Sequence, residues 1–81
     1  MEIKDTIEMM NSEDFKERFK AEYYQLKIRF QKLHIMIVKY KAGTLDFEPK
    51  CSLKLLKKQE KYMLKYLMCL DRRAKIEGIE L

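Results

Sequence analysis

Between Asp14 and Ala42 the apolar residues recur at helical spacing twice over. Phe19, Tyr23, Leu26, Phe30, Leu33, Ile37 and Tyr40 alternate steps of four and three, the pattern of one seam along a helix. Tyr24, Ile28, Gln31, Ile35, Val38 and Ala42 form a second seam with the same alternation. At about 100° per residue the two seams point roughly 150° apart. A helix that only covers a small core needs one apolar stripe. This one is expected to be buried on two sides, by a hairpin partner on one and by another chain on the other, with Ile28 and Ile35 at the subunit interface.

The rest of the sequence supplies that hairpin partner. Gly43 follows Lys39 and Lys41, which suits a left-handed helix end near Ala42. The connection GTLDFEPKC is too short to reach far, so the next helix returns antiparallel. Leu45 and Phe47 are expected to plug the end of the hairpin. Pro49 bars helix at Glu48, and Ser52 can cap the helix that follows. In that helix Leu53, Leu56, Met63, Leu67, Leu70 and Ala74 make one column, interrupted by Glu60. Leu55, Gln59, Tyr62, Tyr66, Cys69, Arg73 and Ile76 make a column beside it.

Ahead of the hairpin, Ile3, Ile7 and Met10 sit at i, i+4, i+7 behind Asp5 and Thr6, a short amphipathic helix that is stable only if docked. Ser12 can cap the long helix. The expected organisation is a short helix in 1–11 and a helical hairpin in 12–81, with helices at about 13–42 and 53–76. The fold class is all-α, assembled as a homo-oligomer.

Composition supports self-association. A chain of 81 residues that is 47% hydrophobic carries more apolar side chain than one hairpin can hide, and small domains have marginal cores. No apolar run is long enough to span a bilayer. The N-terminus MEIKDTIEMM lacks the basic-then-apolar order of a signal peptide. Cys51 and Cys69 have neither metal spacing nor a nearby histidine, and read as reduced thiols. The expected location is the cytoplasm.

No catalytic set is apparent, and no cofactor or metal is implied. The only histidine, His34, lies on a charged column and reads as a solvated or hydrogen-bonded helix residue rather than a base or ligand. Asp46 and Glu48 suit loop capping better than acid–base chemistry. An enzyme built at a helical oligomer interface, as in chorismate mutases, is the catalytic alternative. Lys54, Lys57, Lys58, Lys61, Lys65, Arg72 and Lys75 share the outer side of the second helix and contribute to a net charge of +5. They read as a solvated face rather than a nucleic-acid track, because no aromatic residue lies among them for stacking on bases.

The arginines carry more information. Arg73 falls in the column of Tyr66, Cys69 and Ile76. Arg29 is one step from Leu26 and Phe30, and Arg18 lies one turn from Glu22. Guanidinium groups among apolar residues need a carboxylate or an anionic ligand. A structural pair such as Arg18 with Glu22 is one answer. The other is a phosphate pocket in which Arg18 and Arg73 hold the anion and Tyr23, Tyr24 and Tyr66 offer rings to bases.

From DFKERFKAEYYQLKIRFQKLHIMIVKYKAGTLDFEPKC through LLKKQEKYMLKYLMCLDRRAKIEGI, the chain resembles a family of small phage-encoded helical hairpins. The pieces that carry the resemblance are Arg18, Glu22 and Leu26, the loop GTLDFEP, and Leu56, Gln59, Met63, Tyr66, Leu70, Arg73 and Ile76. The hairpin is similar to the sponges that defeat cyclic-oligonucleotide signalling (the anti-CBASS type, related to one kind of anti-Thoeris protein). Ser52 stands where that family is expected to have proline. The resemblance implies a homo-oligomer that binds cyclic di- or trinucleotides between protomers in the infected host and does not cleave them. The alternative is a structural or protein-binding adaptor acting through its oligomeric helical surface. A DNA-binding accessory role ranks below both.

Overall fold

Short polar side chains set where the first long helix begins. Asp14 has extended backbone (φ −79°, ψ 119°), and its carboxylate accepts from the Lys16 amide at 3.0 Å. Ser12, the cap expected from the sequence, works one step earlier: its hydroxyl accepts from the Asp14 amide at 3.1 Å. The computed structural model describes all 81 residues and is all-helical. A 3-10 turn at Ile3–Thr6 runs into α1 (Ile7–Met10), followed by α2 (Phe15–Ala42) and α3 (Leu53–Glu77).

Glycine closes both long helices. Gly43 (φ 73°) and Gly78 (φ 70°) are left-handed, a region costly for residues with a Cβ. After Gly43 the Thr44 amide donates to Lys39 O at 3.0 Å, and after Gly78 the Ile79 amide donates to Ala74 O at 2.8 Å. That second closure turns Ile79 inward, so the apolar tail completes the core instead of trailing from it. Ile79 joins Phe19, Leu70 and Ala74 in one buried cluster, with Tyr23 and Leu26 packed against it. Ser52 caps α3 through the Leu55 amide at 3.2 Å.

α2 and α3 pack antiparallel. The first seam is buried or half-buried at every position from Phe19 to Tyr40, and Leu56, Leu67, Leu70 and Ala74 meet it from α3. Glu60, the acid within the apolar column, reaches across to His34 Nδ1 at 3.0 Å, while the His34 ring stacks on Phe30. The loop plug is partial: Leu45 is half-buried, but Phe47 stays exposed.

The N-terminal segment docks in a different register from the expected Ile3, Ile7, Met10. A 3-10 turn has three residues per turn, and it is Ile3, Thr6 and Met9 that face inward; Ile7 and Met10 are exposed. Thr6 is fully buried. Its hydroxyl donates to Ile3 O at 2.7 Å and accepts from Gln25 Nε2 at 2.9 Å, which ties the segment to α2. Ala21, buried on the same side of α2, leaves room for this close approach.

The resulting body is thin, 43 × 24 × 16 Å. Its radius of gyration is 15.0 Å, against about 12 Å for a compact chain of this length. Its accessible surface is 6308 Å², whereas a compact monomer of 9.9 kDa exposes about 5,200 Å². Large apolar residues stand on that surface. Ile35 and Val38, on the second seam, are 54% and 51% exposed, and Leu55, Tyr62 and Ile76 make an exposed row on α3.

Candidate functional site

Along one flank of α2, beside the buried seam, lie Arg18, Glu22, Gln25 and Arg29. Their spacing of i, i+4, i+7, i+11 keeps them within about 60° of one another around the helix. With Ala21 and Leu26 they line an open groove of about 380 Å³, walled by Met10 of α1 and by Tyr66 of α3. Each wall is fixed by a polar contact. The Gln25 amide group meets both Thr6 Oγ1 and Met10 Sδ, holding the N-terminal segment at the rim. The Tyr66 hydroxyl donates to the Glu22 carboxylate, which orients the ring beside the groove.

The two arginines bracket this groove about 16 Å apart along the helix axis. Arg18 Nη1 donates to Ser12 O at 2.8 Å, so it caps the chain entering α2 rather than pairing with Glu22. Its remaining N–H donors are directed to no protein acceptor. Arg29 lines the groove and takes part in no side-chain hydrogen bond or ion pair. A guanidinium offers five N–H donors in a planar fork that matches phosphate or carboxylate. The groove therefore presents cations at both ends, with Glu22, Gln25, Leu26 and the Tyr66 ring between them.

Of the five site residues expected from the sequence, Arg18 and Tyr66 come together here. Tyr23 and Tyr24 do not, for a reason of helix geometry: they lie about 140° and 120° around α2 from Arg18. Tyr23 packs against the core cluster, with Lys27 Nζ 5.9 Å from its ring centroid. Burial lifts its phenol above the usual range, and the negative charge of the Asp71 carboxylate, to which the hydroxyl donates, adds to the effect. Tyr24 meets it edge-on, with centroids 5.3 Å apart.

Arg73 confirms the antiparallel register, since its guanidinium lies 5.0 Å from the Phe19 ring centroid at the start of α2. It is not a buried charge, however. Its side chain is 55% exposed and pairs with Glu77 at 2.9 Å. Arg29, Glu22 and Gln25 complete the groove and were not among the site residues expected. Their signal was a polar column running alongside an apolar seam, easily taken for a solvated flank.

Neither thiol has a partner; Cys51 and Cys69 are free and exposed. No group of three His, Cys, Asp or Glu side chains is placed to hold a metal ion. No helix is long and apolar enough to cross a membrane.

A family model described as Sequestin matches residues 13–76, which takes in both long helices and the loop between them. The chain belongs to the Sequestin family. Comparison with curated proteins and with solved structures gives no match. The family name denotes sequestration, and the matched residues include every α2 and α3 side chain that lines the groove.

Proposed function

We propose that the protein is a phage-encoded sponge that binds cyclic di- or trinucleotides in the cytoplasm of an infected bacterium and keeps them from their host effector. The observation that carries this reading is the groove of Arg18, Arg29 and Tyr66 within a Sequestin-family hairpin. Two separated guanidiniums suit a ligand with more than one phosphate, and the Tyr66 ring offers a flat surface to a base. Glu22 and Gln25 between them can meet the polar edge of that base. Capture without chemistry works by mass action: protein in excess of messenger, at a dissociation constant below the effector's threshold, lowers the free concentration.

The working form is a homo-oligomer. The surface surplus of roughly 1,100 Å² over a compact monomer is of the size that a standard interface takes from one partner, about 800 Å². Ile35 and Val38 on the outer seam of α2 are the residues we assign to it.

The test is thermal-shift screening against a panel of cyclic di- and trinucleotides, with mass spectrometry of ligand recovered from the denatured complex. A true ligand at about 100 times its dissociation constant stabilises the fold by about 2.7 kcal/mol, and it is recovered uncleaved. The exposed row of Leu55, Tyr62 and Ile76 favours a second reading, an adaptor that docks a protein through α3. An adaptor gives no shift with any nucleotide, and a cleaved product returns the protein to the enzymes.

A further inference from the structure

The net charge of the chain resides in one helix. α3 carries eight of the eighteen Lys and Arg residues and three of the thirteen acids, so the remainder holds ten of each and is neutral. The three acids of α3 are all engaged toward its flanks: Glu60 with His34, Asp71 with Tyr23 and Glu77 with Arg73. Of the eight cations only Arg73 has an ion-pair partner.

Lys54, Lys58, Lys61, Lys65 and Arg72 are left as an exposed row. The row lies within about 60° of arc, on the side of α3 turned away from α2, and extends about 27 Å. Like charges three and four residues apart weaken a helix, so this arrangement works against the fold unless an anion neutralises it. Lys65 and Arg72 also bound a shallow groove of about 430 Å³ over Met68 and Cys69. That groove gives the row a seat as well as a charge.

We infer that the outer face of α3 binds the phosphate backbone of a single nucleic-acid strand, at a site separate from the Arg18–Arg29 groove. A row of point charges about 27 Å long and free of carboxylates suits an extended polyanion, whereas a small messenger would leave most of the row unused. The row lacks the aromatic residues that would stack on bases, the ground on which the sequence reads as a solvated face; lysine ammoniums follow phosphates without them, so the binding is confined to the backbone, sequence-tolerant and driven by counterion release. The row faces away from the hairpin partner and from the Ile35–Val38 seam, and it stays open in an oligomer built on that seam.

The experiment is fluorescence anisotropy with a mixed-sequence DNA single strand about 20 nucleotides long, beside phosphatidylserine vesicles and polyglutamate as other polyanions. Five phosphate contacts give a salt slope near −3.5, so affinity falls about a hundredfold between about 50 and 200 mM salt. In the Lys54→Gln/Lys58→Gln/Lys61→Gln variant two contacts remain, and the same change of salt costs less than about tenfold. That variant keeps the parent's response to cyclic nucleotides, which separates this site from the groove. Absence of strand binding at low salt, or equal slopes in parent and variant, overturns the inference. So does equal affinity for vesicles or polyglutamate, which would make the row a general anionic contact.

Discussion

Ile35 and Val38 test whether the long helix is covered on its second side. In the single chain about half of each side chain remains exposed, at 54% and 51%. Full burial of an Ile or Val side chain is worth about 1.5–3 kcal/mol, so the half still exposed is worth roughly 0.8–1.5 kcal/mol each at an interface. Changing both to Glu forfeits about 2–3 kcal/mol of apolar burial on each protomer and places unpaired carboxylates in the contact, which costs more. Association should weaken by more than a hundredfold, at about 1.4 kcal/mol per tenfold.

The isolated fold should change little. A carboxylate at position 35 has Lys39 one turn on, and one at 38 has Lys41, both favourable pairings on a helix. Sedimentation equilibrium at several concentrations reads the mass, and far-ultraviolet circular dichroism at the lowest concentration reads the helix. Equal mass for parent and Ile35→Glu/Val38→Glu at all concentrations would refute the two-sided helix. Loss of helix along with mass would show that the seam supports the monomer instead.

Two further outcomes follow from local geometry. Gly78→Ala forces a Cβ into the left-handed region at a cost of about 1–2 kcal/mol; no atom lies within 4 Å of that Cβ, so the loss is conformational, and the melting temperature should drop by several degrees, an unchanged melt being the contrary result. The Tyr23 phenol has its folded pKa raised above 10.0 by burial first and then by Asp71: its contribution is complete below pH 10, and it is lost as pH rises through the folded value, because the unfolded chain gives up that proton first. Denaturant titrations should show stability falling above pH 10, and Tyr23→Phe should flatten that fall; an equal slope in the variant would place the titration elsewhere.

Most of the architecture was legible in the sequence because helix period, glycine stops and capping residues act locally. The first seam is buried as its spacing indicated, Gly43 ends its helix, and Ser52 caps α3. What escaped was set by the tertiary partner. Thr6 reads as a capping residue in the sequence, yet it is the most buried polar group in the chain because Gln25, nineteen positions on, completes its hydrogen bonds. Ile79 lies beyond both apolar columns of the second helix, yet the closure at Gly78 turns it into the core.

The candidate site was legible only in part for a related reason. Periodicity finds the apolar column and treats its polar neighbours as solvent-facing, so Gln25 carried no site signal, and Arg29, noted beside Leu26 and Phe30, was not joined to Arg18 and Tyr66. Arg18 was recognisable as a guanidinium near an apolar seam, but its use of the Ser12 carbonyl depends on the chain's path before α2. Tyr23 and Tyr24 are adjacent in sequence to the groove flank and a third of a turn or more away in space, a distinction that residue type alone does not make.

The most direct test of the sponge reading is calorimetric titration of a cyclic oligonucleotide that scores in the thermal screen into the parent, Arg18→Ala and Arg29→Ala proteins, with sedimentation on the same samples. Each variant should keep the parent's mass, bind more than tenfold more weakly, a loss of about 1.4 kcal/mol, and return the ligand uncleaved. Parent-like affinity in both variants would contradict the groove as the place where the messenger is held.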